Sequence, residues 1–383
     1  MIAGRNSEHY SVISLGLPSD KPGDGRKIAR MMSRLERLRA LMHQQQLDGV
    51  IISKPENRVY FSGFTGSSGV LLVSGAENRL ITDFRYLEQA EAEAPEFIVI
   101  RHGSDQNPTL KMEIDIMGLK RVGFEGDFYT WDAYRRLTEV AAEPVAVHLD
   151  ELRIAKDAQE IALVRQAVLL ADKAFTHVLS YIKPGVREND IALELEFHMR
   201  KNGAEKIAFD IIVASGKRSA LPHGRASAKI IEVGDMITMD FGAVYQGYHS
   251  DITRTVIVGR ASAKQREVYN LVLTAQLAGV AAVAPGITGR EVDAAAREII
   301  TAAGYGEYFG HGLGHGVGLV IHEQPRLAPG SEIILSPGMV VTVEPGVYLP
   351  DWGGVRIEDT VVVAAAGAEV LTASSKELFE LDL

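Results

Sequence analysis

Two stretches in the C-terminal part of this chain repeat one another, and the repeat limits the folds open to it. Pro184-Gly185 precedes a helical pattern ending at Gly203, and Pro285-Gly286 precedes one ending at Gly304, an offset of 101 residues at both ends. Gly234-Asp-Met-Ile-Thr-Met-Asp240 matches Gly338-Met-Val-Val-Thr-Val-Glu344 at an offset of 104. Asp251-Ile-Thr-Arg-Thr-Val256 parallels Glu358-Asp-Thr-Val-Val-Val363 at 107. Chance likeness of short α/β units would not keep acidic residues in register. The pattern predicts two helix-helix-strand-strand halves related by a pseudo-two-fold, each presenting two acids on adjacent strands.

The acids gain weight from their places on the strands. Side chains alternate across a strand, so Thr238 shares a face with Asp240, Thr342 with Glu344, and Arg356 with Glu358. Two carboxylates ~4 Å apart repel by about 4 kcal/mol at an effective dielectric of ~20. Four of them converging at strand ends require positive charge, which divalent cations supply. Any one of these acids alone would read as a turn residue or an ion-pair partner; the set points to a metal site.

A second signal is Gly310-His-Gly-Leu-Gly-His-Gly-Val-Gly318. Histidines four apart suit a helical metal site, but glycine at every second position would cost a helix ~1 kcal/mol each. Period two predicts extended chain instead. His311, Leu313, His315 and Val317 would then lie on one face, and the glycines would let something approach the backbone. His223, in the turn-like Leu221-Pro-His-Gly224, and His322, after Val320-Ile321, are further candidates.

The rest of the chain narrows the class. With 383 residues it can hold two domains. From Met31 to Leu152, helical patterns (Leu35, Leu38, Leu41, Met42) alternate with short apolar runs at Gly49–Ser53, Val70–Val73, Phe97–Ile100 and Val145–Leu149, as in an α/β domain. A second domain runs from Arg153 to Leu383, opened by a capping box at Asp157 and Glu160. Residues 1–30 read as a polar tail rather than a signal peptide, with a start near Met31 or Met32 in view. The absence of cysteine excludes thiolate nucleophiles and leaves His, Asp and Glu to hold any metal. A net charge of -10 argues against nucleic acid, and no apolar run reaches the ~20 residues of a membrane span. Cytoplasm is the expected location. No Gly-x-Ser-x-Gly elbow, Walker loop or His-Glu-x-x-His occurs.

Met239-Asp-Phe-Gly242, Ser250-Asp-Ile-Thr-Arg-Thr255, His311-Gly-Leu-Gly-His315, Val343-Glu-Pro-Gly346 and Val355-Arg-Ile-Glu-Asp359 together resemble the metal-binding signature of the pita-bread metallopeptidases. Asn57-Arg-Val-Tyr-Phe-Ser-Gly-Phe-Thr-Gly66 and Thr82-Asp-Phe-Arg-Tyr86 resemble the creatinase/prolidase N-terminal domain, which methionine aminopeptidases lack. The resemblance therefore implies an α/β N-terminal domain and an α+β pita-bread catalytic domain of the Xaa-Pro aminopeptidase and prolidase kind. Creatinase shares the fold without the metal ligands, all of which are filled here.

By the same resemblance, Asp240 would chelate one metal, Asp251 and Glu358 would bridge two, and His315 and Glu344 would complete the second. An oxygen-rich site with one imidazole suits Mn²⁺, with Co²⁺ or Zn²⁺ as alternatives. His223 would stabilise the oxyanion and His322 would contact the substrate. Glu344 would relay a proton, His311 would line the pocket, Arg356 would hydrogen-bond a ligand carboxylate, and Tyr348 would face the proline ring. The expected reaction is two-metal hydrolysis of the bond between an N-terminal residue and proline, in a homodimer. A strict Xaa-Pro dipeptidase and a non-catalytic pita-bread binding protein are the rival readings.

Overall fold

The computed structural model describes residues 24–382, and contacts divide the chain into two compact units between His148 and Leu149. Residues 1–23 of the expected polar tail lie outside the described residues. Helix α1 (Asp24–Gln44) begins ahead of Met31, so the tail reading does not extend to residue 30.

The first unit holds one six-stranded sheet in the order β4-β3-β2-β1-β5-β6. Its strands are β1 (Gly49–Ile52), β2 (Val70–Ser74), β3 (Asn78–Thr82), β4 (Ile98–Arg101), β5 (Arg121–Glu125) and β6 (Glu143–Val147). Helices α1, α2 (Pro55–Ser62), α3 (Leu87–Glu93), α4 (Asn107–Ile116) and α5 (Trp131–Val140) belong to the same unit. Leu35, Leu38 and Met42 are buried at helical spacing on α1, and every residue of β1 and β2 is buried. Strands β3 and β5 were not among the apolar runs read from sequence, because each is shortened by charged or polar ends. Glu125, at the end of β5, instead accepts hydrogen bonds from the Ser53 and Lys54 amides at the start of α2.

The second unit is built twice. Helices α6 (Ala158–Leu179) and α7 (Glu188–Lys201) open the first half; α8 (Ala263–Ala282) and α9 (Gly289–Ala302) open the second. Asp157 and Glu160 cap α6 reciprocally, as their spacing predicts. That helix ends at Leu179, several residues before the Pro184-Gly185 stop. The first half continues with β7 (Lys206–Ile207), β8 (Ile212–Ser215), β9 (Met236–Phe241), β10 (Ala243–Tyr245), β11 (Tyr248–His249) and β12 (Ile252–Val258). The second continues with β13 (Gly314–Gly316), β14 (Glu323–Leu327), β15 (Val340–Val343), β16 (Gly346–Leu349), β17 (Gly353–Arg356), β18 (Asp359–Ala364) and β19 (Gly367–Val370), before β20 (Glu380–Leu381) closes the chain.

One sheet runs β20-β12-β9-β8 and another β14-β13-β15-β18-β19. The antiparallel core β8-β9-β12 corresponds to β13-β15-β18, so the repeated motifs occupy equivalent strands. Each half has its own apolar core. Ile237, Met239 and Phe241 of β9 pack with Phe175, Ile191 and Leu195 of α6 and α7, and Val341 and Val343 pack with residues of α8 and α9. This alternation turns the opposite face of the same strands, the one carrying the acids, inward between the halves.

The histidine-glycine segment is extended only at β13. Leu313 lies against Gly279 of α8 within the core while His315 turns to the carboxylates, so strict alternation from His311 fails. The glycines do admit close neighbours. A Cβ on Gly314 would sit 2.0 Å from the Thr342 carbonyl oxygen, and one on Gly316 would sit 2.2 Å from that of Gln324. What approaches is the backbone of flanking strands. Gly314→Ala is expected to lose about 1–3 kcal/mol in urea unfolding through overpacking. Gly330→Ala, where nothing lies within 4 Å, should be close to neutral in the same measurement.

Candidate metal centre

Register brings the acids together. Asp240 on β9 stands opposite Thr253 on β12, with Asp251 just before β12. Val343 stands opposite Asp359, with Glu344 just after β15 and Glu358 just before β18. The halves are stitched at this point by Glu358 N–H donating to the Thr253 carbonyl at 3.1 Å and by Thr360 Oγ1 donating to the Asp251 carbonyl at 2.8 Å. Arg254, wholly buried, donates to the carbonyls of both Thr253 and Glu358.

Potential ligand atoms of Asp251, His315 and Glu358 all lie within 4.8 Å of one another. His315 Nε2 is 3.5 Å from Asp251 Oδ2 and 3.4 Å from Glu344 Oε1. The His315 Nδ1–H donates to the Gly316 carbonyl at 3.1 Å, which leaves the Nε2 lone pair facing the carboxylates. Asp240 Oδ1, Asp251 Oδ1 and Glu358 Oε1 are buried without a hydrogen-bond partner. Three orphaned carboxylate oxygens, two of them on residues that converge with an imidazole, are costly unless a cation completes them. The donor set, carboxylate oxygens with one imidazole, fits hard divalent metal ions.

The charges act on one another as this crowding requires. Burial, then the neighbouring Glu358, Asp240 and Glu344, push the Asp251 carboxyl well above its ordinary range. Burial, then Glu344 and Asp240, do the same to Glu358. Burial raises Glu344 to about 8 against the opposing pull of Arg356. Burial and the nearby His322 hold His315 down to about 3, so the ring is neutral.

Around this centre, other groups hold the carboxylates in place. Arg356 donates to Asp240 Oδ2 at 2.6 Å, to Thr253 Oγ1 at 3.0 Å, to the Tyr348 hydroxyl at 2.8 Å and to the Pro222 carbonyl at 3.1 Å. Thr253 Oγ1 donates to Glu358 Oε2 at 2.7 Å. Thr342 Oγ1 accepts from the His315 amide at 3.1 Å and donates to Glu344 Oε1 at 3.3 Å. Sequence reasoning missed Thr253, although its place two residues after Asp251 in the same Ser-Asp-Ile-Thr-Arg-Thr motif was a signal.

The remaining predicted residues also come to this region. His311 Nδ1–H donates to the Gly312 carbonyl at 2.8 Å, so its Nε2 accepts from the Tyr348 hydroxyl at 2.9 Å. Burial first, and the Arg356 and Arg297 cations, keep His311 down to about 4. The His311 and Phe309 carbonyls are gripped by Arg297, and the Leu313 amide by Asp293, an i,i+4 pair on α9 that the sequence analysis did not single out. His322 lies edge-on to His315 with ring centroids 4.4 Å apart, and Glu323 beside it is fixed by Arg153 and Lys156. His223 is exposed on its loop, near enough to add to the depression of both His311 and His322.

This architecture recurs in known proteins. Residues 162–365 match metallopeptidase family M24, and residues 34–155 match the creatinase/prolidase N-terminal domain. The chain is 43% identical over 352 residues to the Xaa-Pro dipeptidase of Pyrococcus furiosus, covering 91% of this chain and 100% of that one. The solved Xaa-Pro dipeptidase from Bacillus anthracis superposes with a TM-score of 0.89 at 48% identity, over 92% of this chain and 100% of that one. The solved X-Pro aminopeptidase from Thermotoga maritima gives 0.85 at 40% identity, over 91% and 100%. The repeated halves, the clustered acids and these likenesses agree, and the chain belongs to metallopeptidase family M24, with a creatinase/prolidase-type N-terminal domain.

Proposed function

We propose that this hydrolase cleaves the bond between an N-terminal residue and a following proline, with two divalent ions held by Asp240, Asp251, His315, Glu344 and Glu358. The observation that carries this reading is the convergence of Asp251, Glu358 and His315, with unpartnered buried oxygens on Asp251, Glu358 and the neighbouring Asp240. The names of the relatives support proline-directed cleavage. Bound there, the ions would supply Lewis acidity and water acidified to near neutral pH. Five protein ligands with a single imidazole favour Mn²⁺ over softer-site metals.

The chain's own groups then divide the work. Arg356 holds Asp240 by Oδ2, which keeps Oδ1 turned to the centre. Glu344, a proposed ligand beside the attacking water, would take up its proton and relay it to the leaving nitrogen. The nitrogen must gain a proton as the C–N bond breaks, as in any peptide hydrolysis; proline's lack of an N–H means only that the substrate offers no donor at that atom. His223 stabilises the developing oxyanion from the mouth of the site, and His322 contacts the substrate. His311 and Arg356 orient the Tyr348 hydroxyl between them, and the Tyr348 ring faces the proline. A homodimer in the cytoplasm completes the reading, carried by the family resemblance.

One observation favours the strict dipeptidase. Arg326 stands opposite His315 across β13 and β14, exposed and without an ion-pair partner among the described residues. Its cation bears on Glu344, His315 and His322. The free carboxylate of an Xaa-Pro dipeptide would suit it.

Three outcomes follow. Asp251→Ala should bind fewer than two Mn²⁺ per chain by elemental analysis and lose more than about a hundredfold in activity; full activity in chelating buffer would remove Asp251 from the site. Hydrolysis of both Ala-Pro and Ala-Pro-Ala supports the aminopeptidase. Ala-Pro alone, with a raised KM in Arg326→Ala, supports the dipeptidase. Thirdly, metal-free protein should lose thermal stability as pH rises from about 7.5 toward about 9. Over that window the folded site gives up the proton on Glu344 that the unfolded chain has already released, while His311, His315 and His322, held low in the fold, are almost wholly neutral in both states and add little slope. Saturating Mn²⁺ should abolish the decline; a metal-free melting temperature that climbs over this window would contradict the assignment.

A further inference from the structure

Glu188 is the first residue of α7 and is wholly buried. One carboxylate oxygen accepts from the Ser215 amide and hydroxyl, both at 2.8 Å. The other accepts from the Ser227 amide at 3.1 Å, the Ser227 hydroxyl at 2.6 Å and the Arg218 guanidinium. Ser215 ends β8, and Ser227 lies beyond the far side of the loop that carries His223. A single carboxylate thus ties both feet of that loop to the helix terminus, whose dipole favours the negative charge.

Within the loop the same restraint continues upward. Arg218, held by Glu188, donates on to the Arg225 carbonyl at 2.9 Å, and the Arg225 amide donates to the His223 carbonyl at 2.9 Å. Arg356 reaches the Pro222 carbonyl from the metal-centre side. His223 itself is exposed. Its placement depends on where the two feet stand, because loop closure leaves many conformations open once the ends are free.

We infer that Glu188 is a positioning residue for the peptidase reaction, fixing both feet of the loop so that His223 is held over the reacting carbonyl. The inference rests on the oxyanion role proposed for His223. A carboxylate suits the task because five donors converge on it. An amide in its place would turn one acceptor into a donor and release one foot.

The test is a double-mutant cycle on the Mn²⁺-loaded full chain with Ala-Pro and Ala-Pro-Ala as substrates. Glu188→Gln should lower kcat about tenfold or more with KM within about twofold and the same Mn²⁺ content. In the His223→Ala background the same change should have almost no further effect. Should Glu188→Gln fail to fold, Ser227→Ala removes one bond at one foot; it should lower kcat about threefold, again only when His223 is present. Losses that multiply with His223→Ala, or a Glu188→Gln enzyme with normal kcat, overturn the positioning role. Wild-type turnover in His223→Ala alone overturns the oxyanion assignment, and the role of Glu188 falls with it.

Discussion

Crowded negative charge at the junction of the two halves is the constraint on which the rest of the catalytic unit depends. Asp240, Asp251, Glu344 and Glu358 are brought to one place by strand register, and three of them present buried oxygens that no hydrogen bond satisfies. Removing carboxylates from water while setting them beside one another is unfavourable on both counts. The raised proton affinities of Asp251, Glu344 and Glu358 are the response of the site without cations. Such an arrangement is stable to the extent that protons or metal ions neutralise it, which ties folding, pH and metal binding together.

The surroundings are organised to keep those charges apart from any competing partner. Among the described residues Arg356 is the one cation hydrogen-bonded to a carboxylate proposed to hold metal, and it takes only one oxygen of Asp240. Thr253 and Thr342 use hydroxyls, which orient Glu358 and Glu344 without neutralising them. Arg254 spends its donors on backbone carbonyls, Asp359 and the C-terminal segment, bracing the strands behind the site. Positive charge is therefore present as scaffolding while the inward-facing oxygens are left open.

The histidines are carried differently. His315 sits on a strand, flanked by glycines that allow neighbouring backbones to close in, and its tautomer is set by a bond to the next residue's carbonyl. His311 and His223 sit on irregular segments outside the strands. Each segment is gripped by charged side chains on a helix, Asp293 and Arg297 on α9 for one and Glu188 on α7 for the other. Buried helical charges thus stand in for the ladder bonds that hold His315 in place.

By itself the sequence determined the two-half architecture and the repeated strands that bring the four acids together, because period-two alternation and a repeat in register are local properties of the chain; the proposal of five metal-holding residues came from the family resemblance of its motifs. The sequence also determined the capping of α6, likewise a local property. Strands β3 and β5 escaped it because their apolar runs are short and bounded by charges. Only the tertiary structure decided that Leu313 leaves the His315 face for the core, that Thr253 joins Arg356 to Glu358, and that Glu188 and Asp293 hold loops far away in sequence. Those choices depend on contacts between residues separated by many positions, and hydrogen-bond geometry of that kind leaves no periodic trace in the order of amino acids.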